Sequence, residues 1–87
     1  MELLAHSVNN FNGVIIDPAQ LPADPAEFRA RLSESIAQWR LDGRQVIWME
    51  APIDKSALIP LAVDAGFGFH HSQEGYLMMT LLLQEGA

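Results

Sequence analysis

The sequence predicts an α/β (α+β) domain: a mixed β-sheet with two helices, in the order ββαβαββ. Three observations predict it. Phe28, Leu32, Ile36 and Trp39 recur at spacings of 4, 4 and 3, which puts them on one face of a helix. Short apolar or β-branched runs, such as Val14–Ile16, Val46–Met49 and Tyr76–Leu83, have strand length rather than helix length. Clusters of Asn, Gly and Pro punctuate the chain between these runs. With 87 residues, positions 1–87 form a single domain with no room for a second.

The elements follow in order. Leu3–Val8 and Gly13–Ile16 flank Asn9-Asn10-Phe11-Asn12, residues that tolerate turn conformations, so a hairpin is expected. Asp17-Pro18 ends its second strand. Asp24 is placed as an N-cap, with Pro25 at the first helical position and Glu27 three residues after the cap. Glu27 and Arg31 make a favourable i,i+4 pair, and Gly43 stops the helix in a left-handed conformation. Gln45–Ala51 has apolar residues on both faces, which predicts an internal strand covered twice. Asp54 or Ser56 can cap a second, shorter helix. Pro60 requires either an irregular first turn or a regular helix starting near Ile59, with Leu58, Leu61, Ala62 and Ala65 on its inner face. Ala65–Leu83 then reads as the end of that helix, a strand over Phe67–His71, a turn at Ser72–Gly75 and a last strand over Tyr76–Leu83.

Composition excludes several classes of function. The chain has no cysteine, which removes disulfides, thiolate zinc sites and thiol nucleophiles and fits a cytoplasmic protein. The net charge is −6 and the 5 basic residues are spread from Arg29 to Lys55. Nucleic acid and anionic membrane both require clustered Lys and Arg, so neither is an expected partner. No signal-peptide pattern opens the chain. The apolar run Tyr76–Leu83 is far short of the roughly 20 residues a membrane helix needs.

Few residues suggest chemistry. His70 and His71 are adjacent, and adjacent residues of a regular strand point to opposite faces. They are therefore not expected to share a metal; one is expected in the core and one at the surface. Gly66-Phe67-Gly68 is too short for a phosphate loop and precedes a strand, not a helix. No serine has a G-x-S-x-G setting. Trp39 and Trp48 can stack a base or a sugar, but a helix stripe and a buried strand place both in the core. Met78-Met79 reads as core filler.

Three segments together carry a resemblance. They are Phe28-x3-Leu32-x3-Ile36-x2-Trp39-Arg40-x2-Gly43; Val46-Ile47-Trp48 followed by Pro52-Ile53; and Ala65-Gly66-Phe67-x-Phe69-His70-His71 followed by Tyr76-Leu77-Met78. From about Leu3 to Leu83 the chain resembles the pre-Nudix domain, the N-terminal domain of Nudix hydrolases of the fibroblast growth factor antisense type. The resemblance implies a fold similar to part of a GNAT acetyltransferase. It also implies a following catalytic Nudix domain, whose signature glutamates in G-x5-E-x7-R-E-U-x-E-E-x-G-U (U aliphatic) hold Mg²⁺. This chain has glutamate at positions 2, 27, 34, 50, 74 and 85 and no R-E-x-x-E-E, so no catalytic residue carries over. The motif residues Trp39, Arg40, Gly43, Trp48, Gly66, Phe67, Phe69, His70 and His71 are expected to be structural.

The chain is thus expected to be a fragment of a longer enzyme: a non-catalytic accessory domain with no cofactor of its own, Mg²⁺ belonging to the absent domain. A small GNAT-like acyltransferase and a free-standing interaction module are the alternatives. The acyltransferase would need a Q/R-x-x-G-x-G/A loop opening a helix, and Gln38–Gly43 stands at a helix end. The unalternating last strand predicts association, with the following Nudix domain or with a second copy as a homodimer, through an apolar surface or a sheet edge.

Overall fold

The computed structural model describes residues 2–85. Among them β1 (His6–Val8), β2 (Gly13–Ile16), β3 (Val46–Pro52), β4 (Gly68–Gln73) and β5 (Tyr76–Leu82) form one sheet in the order β1-β2-β3-β5-β4. The sheet is mixed. β2 and β3 run parallel, and every other neighbouring pair is antiparallel. The parallel step needs a crossover, supplied by α1 (Pro25–Leu41). A short 3₁₀ segment, Ile53–Leu58, leads into α2 (Ile59–Asp64).

Local chemistry explains the boundaries. Asp24 accepts from the Glu27 N–H at 3.0 Å, and Pro25 opens α1. Glu27 and Arg31 pair at 3.2 Å. Gly43 follows α1 with φ of 80°, and Gly66 follows α2 with φ of 110°. Pro60 sits in the first turn of α2, where its missing N–H costs no helical bond. The hairpin loop is held by Asn9, whose Oδ1 accepts from the Phe11 and Gly13 N–H groups at 2.9 Å each. Asn12, with φ of 60°, donates to the Gly43 carbonyl and accepts from Arg44. That side chain joins the loop before β2 to the turn before β3, at the start of the parallel ladder.

The core lies between the helices and one face of the sheet. Phe28, Leu32, Ile36 and Trp39 of α1, with Leu58 and Ala62, cover Val14, Ile16, Ile47, Met49, Ala51 and Met79. Ser35 is the one buried polar side chain among the described residues, and it is satisfied. It accepts from the Leu4 N–H at 2.9 Å and donates to the Arg31 carbonyl at 2.7 Å. Arg31 also donates to the Glu2 and Leu3 carbonyls, so the segment before β1 is stitched to the helix.

Four expectations need correction. β3 is internal, as expected, but helices cover only one of its faces, because α1 and α2 lie on the same side. β5 is not an edge strand: it lies between β3 and β4, and the edges are β1 and β4. The first strand is only His6–Val8. Ala65 is exposed, because the helix ends at Asp64.

Candidate functional site

Burial along β3 alternates strictly: Ile47, Met49 and Ala51 are buried, while Val46, Trp48, Glu50 and Pro52 are half-buried. The second set faces away from the helices, onto the uncovered side. Cross-strand pairing extends it. Trp48 stands opposite Ile15 on one side and Thr80 on the other; Val46 opposes Leu82, Glu50 opposes Met78, and Pro52 opposes Tyr76. Leu82 is 59% exposed and Ile15 40%. The result is a broad apolar face with Glu50 as the one carboxylate on its strands. A hollow of about 430 Å³, lined by Gln45, Val46, Trp48, His70, Thr80 and Leu82, lies on it toward the Val46–Leu82 end of the ladder.

The histidine pair joins this face through an irregularity that spacing does not reveal. Phe69 pairs with Met79, but the next ladder pair is His71 with Met78, so the register shifts and His70 is the extra residue of a bulge. The alternation rule therefore fails. His70 packs edge-on against Trp48 with ring centroids 4.8 Å apart, and His71 packs edge-on against Tyr76 at 6.1 Å. The two imidazoles are themselves edge to face at 5.1 Å, and their Nδ1 atoms are 2.8 Å apart, one donating and the other accepting. Both histidines are exposed and on the same side of the sheet, which overturns the expectation of one core and one surface histidine on opposite faces. An aromatic row Trp48–His70–His71–Tyr76 results.

The other motif residues fall elsewhere. Trp39 is 1% exposed and belongs to the core as expected, with its indole N–H unpartnered and the His6 ring edge-on at 4.8 Å. Trp48 is not a core residue, which corrects the reading of its strand as covered twice. Arg40 donates to the Leu83 carbonyl, tying α1 to the end of β5. Phe67 is buried; Phe69 is 64% exposed at the edge strand. Gly43 and Gly66 are the two helix stops.

Chemistry beyond this face is sparse. No group of three His, Cys, Asp or Glu side chains among the described residues converges to hold a metal ion. Mg²⁺ needs several oxygen ligands in near-octahedral array, and these residues do not fit it. Gln38–Gly43 closes α1 at its C-terminal end, where the helix dipole is negative and a pyrophosphate would be repelled. A second hollow of about 430 Å³ lies between α1 and α2, with Arg29, Arg40 and Asp64 around an apolar floor of Leu32, Ile36 and Leu61. No helix of the described residues is long and apolar enough to cross a membrane.

Residues 4–83 match the model of the Nudix hydrolase domain family. Over 77 residues, 88% of the chain, the sequence is 36% identical to Nudix hydrolase 8 of Arabidopsis thaliana, covering 21% of that protein. It is 34% identical over 84 residues to Nudix hydrolase 10 of the same plant, covering 97% of the chain and 30% of the relative. It is 36% identical over 87 aligned positions to nucleoside diphosphate-linked moiety X motif 6 of Homo sapiens, covering 95% of the chain and 28% of the relative. The chain thus spans less than a third of the length of each of these relatives.

Proposed function

The chain belongs to the Nudix hydrolase domain family, and from that premise we propose that it is a non-catalytic accessory domain of a Nudix hydrolase, built on the GNAT-like pre-Nudix pattern. The observation that carries this reading is the mismatch between family and chemistry. A Nudix family model matches residues 4–83, yet those residues hold neither the signature glutamates nor a group of three His, Cys, Asp or Glu side chains placed to hold a metal ion. The small share of each relative that the chain spans is in keeping with a domain that works beside a catalytic one. A mixed sheet with two helices is what the GNAT-like expectation called for.

In this reading the uncovered sheet face is the working surface. It docks on the Nudix catalytic domain or on a second copy in a two-fold dimer. Two features support the assignment: apolar side chains at its centre, and a near absence of carboxylates in a chain that carries 11 of them. A cysteine-free composition supports a cytoplasmic setting. An acyltransferase is the weaker reading, since the pyrophosphate loop it needs has no seat at a helix N-terminus.

The test has two arms. With Mg²⁺ and a panel of nucleoside diphosphate derivatives, the 87-residue chain is expected to release no phosphate or mononucleotide. Turnover that scales with protein through repurification would overturn the non-catalytic reading. Sedimentation equilibrium at micromolar concentration, alone and with a separately expressed Nudix catalytic domain of the same polypeptide, is expected to give a complex in at least one case. A monomer in both rejects the docking role.

A further inference from the structure

We propose that His70 and His71 form a cis chelate for a divalent transition metal of tetragonal preference, Cu²⁺ before all, on the uncovered face of the sheet. The argument starts from the bulge. In an unbroken ladder two neighbouring histidines diverge; here the shift between Phe69 and His71 turns both rings to one side and brings their Nδ1 atoms to 2.8 Å. Metal–imidazole bonds are about 2.0–2.1 Å long, so two nitrogens at a right angle on one ion stand about 2.8–3.0 Å apart, and two on a tetrahedral ion about 3.3–3.4 Å. The observed separation is set by the hydrogen bond between the rings, and it is also the span a right angle at the ion requires, so the nitrogens need to turn but not to move apart. Square-planar and tetragonal nitrogen sites are the preference of Cu²⁺ and Ni²⁺, whereas Zn²⁺ favours the tetrahedron.

Each ring also has an aromatic neighbour: Trp48 lies edge-on to His70 at 4.8 Å and Tyr76 edge-on to His71 at 6.1 Å. The hydrogen bond between the imidazoles is replaced without a change in proton count for neutral rings. The ring that carries its proton on Nδ1 passes it through solvent to its own Nε2, and both Nδ1 lone pairs turn to the metal. Met78 stands directly opposite His71 in the ladder and offers a thioether, a soft donor that suits copper. With no third His, Cys, Asp or Glu converging among the described residues, the remaining positions are left to water or to a donor from whatever covers the face.

The experiment uses the tag-free chain and Cu²⁺ itself, with Ni²⁺ and Zn²⁺ as competitors. We expect one Cu²⁺ per chain, an electron paramagnetic resonance spectrum with hyperfine splitting from two imidazole nitrogens, and displacement by Ni²⁺ before Zn²⁺. His70→Ala and His71→Ala are each expected to weaken binding at least tenfold. His6→Ala should change nothing, because His6 lies on the other face beside Trp39 with its Nδ1 against the Leu4 carbonyl. The sharpest variant is the double change His70→Ala, Ser72→His. It keeps two adjacent histidines but places them in the regular part of the ladder, opposite Met78 and Leu77, on opposite faces. Loss of at least tenfold in affinity supports the bulge geometry; retention of wild-type affinity overturns it. The wild-type chain gives an independent readout: substoichiometric Cu²⁺ is expected to broaden the ring resonances of His70, His71 and Trp48 and to leave Trp39 and His6 sharp. Broadening centred on His6 rejects the site.

Discussion

The two tryptophans occupy opposite faces of one sheet, and the contrast between them describes the molecule. Trp39 sits on α1, is 1% exposed, and packs in a core built from both helices and β2, β3 and β5. Trp48 sits on β3, half-buried, with Ile15 and Thr80 beside it and an exposed histidine against its edge. Both were apolar positions in the sequence. What separates them is the number of helices available. Two helices suffice to cover one side of a five-stranded sheet, and both lie on the same side. The covered face therefore carries the stability, and the other face is left without a helix over it.

The contrast predicts an unequal response to the same truncation. Trp39→Ala is expected to cost about 3–5 kcal/mol, as for large-to-small changes in packed cores. Trp48→Ala is expected to cost about 1 kcal/mol, the middle of the range for single substitutions. Urea denaturation of the two variants measures the gap, and equal costs would mean that the second face is packed as tightly as the first. Ser35→Ala probes the covered face through its polar tie. It leaves the buried Leu4 N–H without an acceptor, and a loss of about 1–3 kcal/mol is expected. A smaller loss would show that the segment before β1 shifts to find another partner.

Asp24→Ala removes the cap from the helix that builds that core, for an expected loss of about 1 kcal/mol. Its urea midpoint should fall while the slope stays unchanged. The smallest effect on stability is expected on the open face. Leu82→Ser, at a side chain 59% exposed, should move stability by no more than about 0.5 kcal/mol. The same change should weaken association in sedimentation. A variant that unfolds easily but associates as before would reverse the roles assigned to the two faces.

Much of the covered side was legible from the chain alone. The stripe Phe28, Leu32, Ile36, Trp39 is a local pattern, and a helix that buries one face must show it. The Asp24 cap, the Pro60 start and the Gly43 and Gly66 stops were legible for the same reason: each is decided within a few residues by backbone sterics and one hydrogen bond. The candidate site was not. Gln45–Ala51 reads as covered on both faces because apolar residues occupy both, and sequence cannot distinguish burial beneath a helix from burial against something outside the chain.

The position of β5 between β3 and β4, rather than at an edge, was set by pairing between strands more than 20 residues apart, which leaves no local signature. The bulge at His70 is the clearest case. Phe69-His70-His71 contains no glycine and no break in composition, so the alternation rule assigned the two rings to opposite faces. The offset arises only when β4 is laid against β5, where Met79 faces Phe69 and Met78 faces His71 with His70 left over. Local chemistry thus determined which segments are helix, strand and turn. Register and layer count, which depend on partners distant in sequence, determined which side chains face out and which of them meet.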